Sequence, residues 1–204
     1  MDELPEFPQH VLESLRQPLE DGTVSIARAA VVSDFPARFQ LVAAANPCRR
    51  GCPSLDRCLC TPAERDRYIG RLSGPFLDRI DLHVELPAVG GQELADAASP
   101  EDSATVRTRV AVARDRQRRR LVGSGSRLNS ELSPRQLRRL GGVTPEAQRL
   151  LAAAIARLAL SARGHDRALK IARSIADLAG SETVTAEHCA EALQYRGLDR
   201  RWRA

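Results

Sequence analysis

The chain has 204 residues, 43% of them apolar and 28% charged, with a formal net charge of +5 at neutral pH. This composition excludes disordered and collagen-like classes, no apolar run approaches the ~18–20 residues of a membrane span, and the acidic start at Asp2, Glu3 and Glu6 is the reverse of a basic signal peptide. A soluble cytoplasmic protein of one domain or two small ones is expected, and with Lys170 as its one lysine, chemistry needing a second is excluded.

Pro8 to Glu20 reads as a short helix, with Val11, Leu12, Leu15 and Leu19 on one stripe. Glu20-Asp21-Gly22 is a turn, and the β-favouring runs Thr23–Ile26 and Val31–Val32 are close enough to form a hairpin. Phe39–Ala45 and Ile80–Leu86 are nearly continuous apolar runs, the pattern of strands covered on both faces. A Cys/Pro/Arg-rich loop, Pro47 to Pro62, lies between them. After a Gly/Ala/acid-rich linker, Ala88 to Pro100, the pattern is helical over about 103–122, 133–140, 145–160, 164–179 and 185–195. Ser133, Thr144 and Thr185 are the expected caps.

Charge divides with this pattern. Residues 1–90 hold 13 acids and 10 bases, whereas residues 91–204 hold 13 acids and 21 bases. The second half reads either as a module able to approach a polyanion or as a solvated arginine-rich helical surface. Five arginines in the seven positions Arg114–Arg120 spread around most of their helix, which favours a solvated or subunit-facing surface. With only two Tyr, one Trp and four Phe, base-stacking recognition has little support.

Two constellations carry chemistry. An acid pair such as Asp2-Glu3, at a strand end, lets one carboxylate hold Mg²⁺ while the next activates water. Cys48, Cys52, Cys58 and Cys60 follow the pattern C-x3-C-x5-C-x-C. Thiols clustered in the cytosol point to tetrahedral Zn²⁺ before disulfides, with free thiols the alternative. Cys189 reads as core, and the four histidines have no metal spacing.

Several stretches occur in one order: Asp2-Glu3-Leu4-Pro5-Glu6-Phe7, Leu15–Glu20, Phe35–Phe39, Ala43-Ala44-Ala45-Asn46-Pro47, Arg71–Asp81, Ser161–Gly164, Ile171–Leu178 and Ala190–Arg196. The series resembles the magnesium-chelatase-like ComM/YifB family of AAA+ ATPases. The resemblance implies the α/β distal half of an AAA+ P-loop core over 1–87, a linker over 88–102, and an all-α helical lid, a magnesium-chelatase-related C-terminal domain, over 103–200. It implies Asp2 as the Mg²⁺ carboxylate and Glu3 as the water-activating base at the end of Walker B. Asn46 matches sensor 1, Arg79 the arginine finger acting on a neighbouring subunit's nucleotide, and Arg163, or Arg167 one turn on, sensor 2. Read without the resemblance, Asn46-Pro47 is a strand-ending turn, Arg79 pairs with Asp78 or Asp81, and Arg163 is a surface charge.

Val24–Ala29 resembles the pre-sensor 1 hairpin shared with minichromosome maintenance helicases, which implies a DNA-backbone contact for Arg28 in a central pore; the alternative is an arginine in solvent. Many relatives carry Asn-Pro-Cys-Pro-Cys-Gly at the cysteine loop, whereas this chain has Arg50 in place of the second Cys and Cys52 two positions on.

No Gly-x-x-x-x-Gly-Lys-[Ser/Thr] loop is present, so Walker A is missing and a truncated product without a competent ATP site of its own is expected. The intact protein would be an ATP- and Mg²⁺-dependent ring, hexameric by the resemblance, that moves on DNA as a branch-migration helicase during natural transformation. The rivals are a magnesium chelatase subunit driving metal insertion into a porphyrin and a non-enzymatic, basic, zinc-containing adaptor.

Overall fold

Pro18 has no N–H to give the carbonyl of Ser14, and the helix expected over Pro8–Glu20 breaks at Leu15 into α1 (Gln9–Ser14) and α2 (Arg16–Asp21). Gly22 ends α2 in the left-handed conformation, φ 66°, its N–H bonded to the Pro18 carbonyl at 3.0 Å. The structure, a computed structural model, describes residues 1–28, 31–52, 58–87, 101–158 and 161–196. The expected linker therefore lies outside it apart from 101–102, as do the end of the helical segment and part of the cysteine loop.

The hairpin forms as expected. β1 (Thr23–Arg28) pairs antiparallel with β2 (Val31–Pro36), with Thr23 opposite Pro36 and Arg28 opposite Val31. It is the one sheet among the described residues. Phe39–Ala45 and Ile80–Leu86, expected as covered strands, carry no ladder, and Val42 and Leu86 are 71% and 83% exposed. An apolar run becomes an interior strand only with partners on both sides. Here the first run has Met1–Leu4 beside it, and in the second the His83 N–H bonds the Tyr195 carbonyl at 2.8 Å.

The chain falls into two units, 1–80 with 84–87, and 81–83 with 101–196. The first has a small core of Leu4, Leu12, Leu72, Phe76 and Leu77, with Phe7, Leu15, Leu19, Leu41 and Ile80 against it. α3 (Pro62–Ile69) starts from a reciprocal cap between Thr61 and Glu64, and α4 (Gly74–Leu77) from Ser73, whose hydroxyl accepts the Phe76 N–H.

The second unit is all-helical: α5 (Ser103–Leu121), α6 (Pro134–Leu140), α7 (Pro145–Leu158), α8 (Ala162–Leu178) and α9 (Ala186–Gln194). Ser133 and Thr144 cap as expected, accepting the N–H groups of Gln136 and Ala147 at 3.3 Å each. At α9 the cap is reinforced by His188, whose Nδ1 accepts the Thr185 N–H at 3.1 Å. Twelve buried residues form the core, among them Leu121, Leu137, Leu151, Ala172, Val184 and Cys189; burial pushes the Cys189 thiol up to about 11.

A polar network crosses this core. Asp177 accepts from Arg120 at 2.5 and 2.6 Å, Asn129 at 2.9 Å and Arg173 at 3.0 Å. Arg173, 1% exposed, also donates to the carbonyls of Gly141, Ser181 and Glu182. It thereby ties α8 to the loop before α7 and the loop before α9. Gly142, at φ 62°, lets that loop approach: a Cβ there would stand 3.1 Å from the Glu182 carbonyl. Among the described residues no helix is long and apolar enough to cross a membrane.

Candidate functional site

The first residues are held by backbone pairing. The Met1 nitrogen donates to the Val42 carbonyl at 2.8 Å, the Ala44 N–H to the Met1 carbonyl at 2.9 Å, and the Leu4 N–H to the Ala44 carbonyl at 2.9 Å. The first two bonds have the one-residue stagger of a parallel pair. They bring the acid pair alongside Ala44, two residues before Asn46. Between them Glu3 takes a left-handed conformation, φ 51° and ψ 45°. It is the one non-glycine residue at positive φ among the described residues. Such a conformation costs about 1–3 kcal/mol and collects at functional sites. Asp2 accepts the Glu3 N–H at 2.8 Å, and Asp2, Glu3 and Asn46 are all exposed. Exposed carboxylate oxygens are the hard donors that Mg²⁺ takes.

Arg79 lies two residues after the end of α4. Its guanidinium donates to the carboxylate of Glu20 and the carbonyl of Pro75, and its side chain is 10% exposed. The partner is thus neither Asp78 nor Asp81, the two that sequence proximity offered. Ser73, at the start of α4, donates to Glu13 at 2.5 Å, and Glu13 also pairs with Arg16; these bonds hold the Glu13 carboxyl below its ordinary range.

In the second unit, Arg163 is exposed in the first turn of α8. Arg167 is mostly buried and donates to Asp81 at 2.6 Å. Lys170 donates to the Ser130 carbonyl at 2.8 Å, burial lowering its pKa, so the lone lysine serves the fold. Arg28 closes β1 at the hairpin end, opposite Val31. Its side chain and the two residues joining the strands lie outside the described residues.

The cysteines converge. The Sγ atoms of Cys48, Cys52, Cys58 and Cys60 all lie within 4.8 Å of one another, Cys48, Cys52 and Cys60 buried and Cys58 half-buried. No disulfide joins them. A tetrathiolate with Zn–S bonds of about 2.3 Å separates its sulfurs by about 3.8 Å, so the donors fit a tetrahedral metal. Burial opposes ionisation of Cys48, but the Cys52 N–H at 3.4 Å, the thiols of Cys52 and Cys58, and the Arg50 N–H bring it down to about 6. Burial, then the neighbouring Cys48 and Cys58, pushes Cys60 up to about 11. A cation bound among the four sulfurs would be held by thiolates, so its binding releases protons.

Sequence reading missed two things here. Glu20, the partner of Arg79, sits 59 residues earlier and carries no local signal. Arg173 and Asp177 lay inside a stretch quoted for the resemblance, yet their burial needed the fold to be visible.

Residues 1–94 match the family model described as magnesium chelatase, subunit ChlI, and residues 100–196 match magnesium chelatase, subunit ChlI C-terminal. The chain is 42% identical over 201 residues to the uncharacterized protein YifB of Escherichia coli, covering 98% of this chain and 39% of that protein. It is 43% identical over 196 residues to the uncharacterized protein Rv2897c of Mycobacterium tuberculosis, covering 96% of this chain and 39% of that one. It is 41% identical over 201 residues to the competence protein ComM of Haemophilus influenzae, again covering 98% and 39%. The chain thus spans 39% of the length of these relatives.

Proposed function

The chain belongs to the magnesium chelatase-like family that includes YifB and ComM, and from that premise we propose that it forms the distal part of an AAA+ ATPase core with its helical lid, in a ring-forming motor that couples ATP hydrolysis to movement on DNA. The observation that carries this reading is the pairing of Met1–Leu4 with Val42–Ala44, which sets Asp2 and Glu3 beside the segment ending in Asn46. Asp2 would hold Mg²⁺, Glu3 would take the proton of the attacking water, and Asn46 would orient it. Magnesium-bound ATP supplies the phosphoryl group. Arg79 stabilises the charge on a neighbouring subunit's nucleotide, and Arg163 or Arg167 reads the nucleotide from the lid.

This chain offers the metal and water side of the site, and its sequence holds no phosphate-cradling loop. Hydrolysis therefore belongs to a protein that brings one. The name competence protein, borne by the relative from H. influenzae, supports work on DNA during natural transformation. Cys48, Cys52, Cys58 and Cys60 would hold a structural zinc, which would tie the loop after Asn46 to the start of α3.

The test is Glu3→Gln in the gene's full product. ATP should still bind while DNA-stimulated hydrolysis falls about 10²–10⁴-fold, the contribution of a general base. Unchanged turnover would remove Glu3 from the mechanism, and a full product without ATPase activity on DNA would remove the motor.

A further inference from the structure

Arg49, Arg50, Arg67 and Arg71 converge on one cleft of about 170 Å³ beside the cysteine cluster, with Glu64, Tyr68 and Cys60 completing its wall. The four come from two stretches of the sequence. Arg49 and Arg50 sit in the loop between Cys48 and Cys52, Arg67 is on α3, and Arg71 is in the turn after it.

Arg71 is anchored by the Pro5 carbonyl at 3.1 Å and the Glu6 carboxylate at 3.0 Å, which fixes the back of the cleft. Arg49 and Arg50 are held loosely, with Glu6 and Glu64 each 3.9 Å away, and their side chains are 74% and 60% exposed. Arg67 adds a third exposed guanidinium.

Like charges gathered on one wall repel unless an anion joins them. Among the described residues two carboxylates, Glu64 in the wall and Glu6 behind Arg71, stand against these four guanidinium groups. The charge of a metal-loaded tetrathiolate would lie on sulfurs that are mostly buried, whereas Arg49, Arg50 and Arg67 present their side chains to solvent. Guanidinium forks match tetrahedral oxyanions in a way ammonium groups do not. Among the described residues the wall's one aromatic ring, Tyr68, is buried and offers no open face for a base to stack on.

We propose that this cleft binds phosphate oxyanions, and that the cysteine cluster is the scaffold presenting Arg49 and Arg50 to them. Two sources share that chemistry: the backbone of a single-stranded nucleic acid, and free polyphosphate. Phosphate contacts of this kind set position and read no sequence. The site is separate from the ATPase reading, since it uses neither the acid pair nor Arg28.

The experiment uses the full 204-residue chain, loaded with zinc, and a fluorescein-labelled oligothymidylate followed by anisotropy across a salt series. The triple variant Arg49→Gln, Arg50→Gln, Arg67→Gln should bind at least about ten-fold more weakly at low salt, with the slope of log affinity against log salt reduced by about 2. Arg28→Gln, the control for the hairpin, should leave the difference between the parent and triple-variant cleft in place. Sodium tripolyphosphate is the second probe, read by thermal shift. Oligothymidylate binding lost in the triple variant assigns a nucleic-acid backbone. Tripolyphosphate stabilisation lost in the triple variant, without oligothymidylate binding, assigns free polyphosphate. A triple variant that melts like the parent and responds like it to both probes overturns the proposal, whatever the fate of the ATPase reading.

Discussion

The guanidinium of Arg79 is folded onto the carboxylate of Glu20, so that the turn after α4 is pinned to the last turn of α2. Two nitrogens of the fork are bonded here, Nη2 to Glu20 and Nη1 to the Pro75 carbonyl. A residue proposed to reach a neighbouring subunit's nucleotide is therefore stored against its own unit. In the gene's full product, Arg79→Ala should leave ATP binding intact and lower hydrolysis about 10³-fold or more, the loss expected for a finger. Glu20→Gln, which loosens the guanidinium without removing it, should lower it no more than about ten-fold. Nucleotide-binding titrations beside steady-state ATPase assays check this, and wild-type turnover of Arg79→Ala removes the finger assignment.

The cysteine cluster makes a prediction that is independent of the motor. Elemental analysis of metal-replete protein should find about one zinc per chain, and cobalt substitution should give the intense thiolate-to-metal absorption of a tetrahedral site. Chelation should lower the melting temperature of the first unit, whose small core leaves little else to hold the loop. The helical unit, where Cys189 stands alone in an apolar core, should melt unchanged. Cobalt-free absorbance and no zinc would leave four free thiols.

The helical half was legible almost to the residue because its signals are local. Helical patterning located α5 to α9, and Ser133, Thr144 and Thr185 marked three starts. The error at α8 has a local cause: Ser161 caps it, accepting the Gly164 N–H at 3.1 Å, so the helix begins at Ala162 where the sequence reading began it at 164. The first half was legible in its hairpin, its cysteine loop and the helical character of Pro8–Glu20, though not in the break within that segment. Phe39–Ala45 has the composition of a buried strand, but strand formation depends on what lies alongside. Pro18 was visible in the sequence, and its break of the helix at Leu15 could have been read from the missing N–H.

Arg28 ends β1 at the hairpin end, opposite Val31. If that end meets the DNA backbone, the contact is to phosphate and couples DNA to hydrolysis without taking part in it. Arg28→Glu in the gene's full product should then weaken DNA-stimulated ATPase much more than basal ATPase, with the midpoint for DNA moving upward. ATPase titrations with and without DNA separate the two rates, and an equal loss of both would place Arg28 in the fold of the hairpin.

Asp177 should control the acid limb of the helical unit's stability. Burial opposes its charge, yet the hydrogen bonds from Arg120 and Asn129 and the charges of Arg173 and Arg120 outweigh that and hold the carboxyl below its ordinary value. Burial lowers Arg173 as well, but a guanidinium remains charged across this range. A carboxyl depressed in the folded state contributes stability above its unfolded pKa, about 3.9, and loses that contribution as pH falls through the folded value. Asp177→Asn removes the titrating group and leaves two mostly buried arginines facing an amide. Urea denaturation at neutral pH should show a loss of about 3–5 kcal/mol, the cost of breaking a buried pair from one side. Below about pH 4 the two proteins should converge, because the wild type loses there what the variant never had. Parallel stability curves for the two proteins throughout the acid range would mean that Asp177 is not the group whose protonation loosens the helical unit.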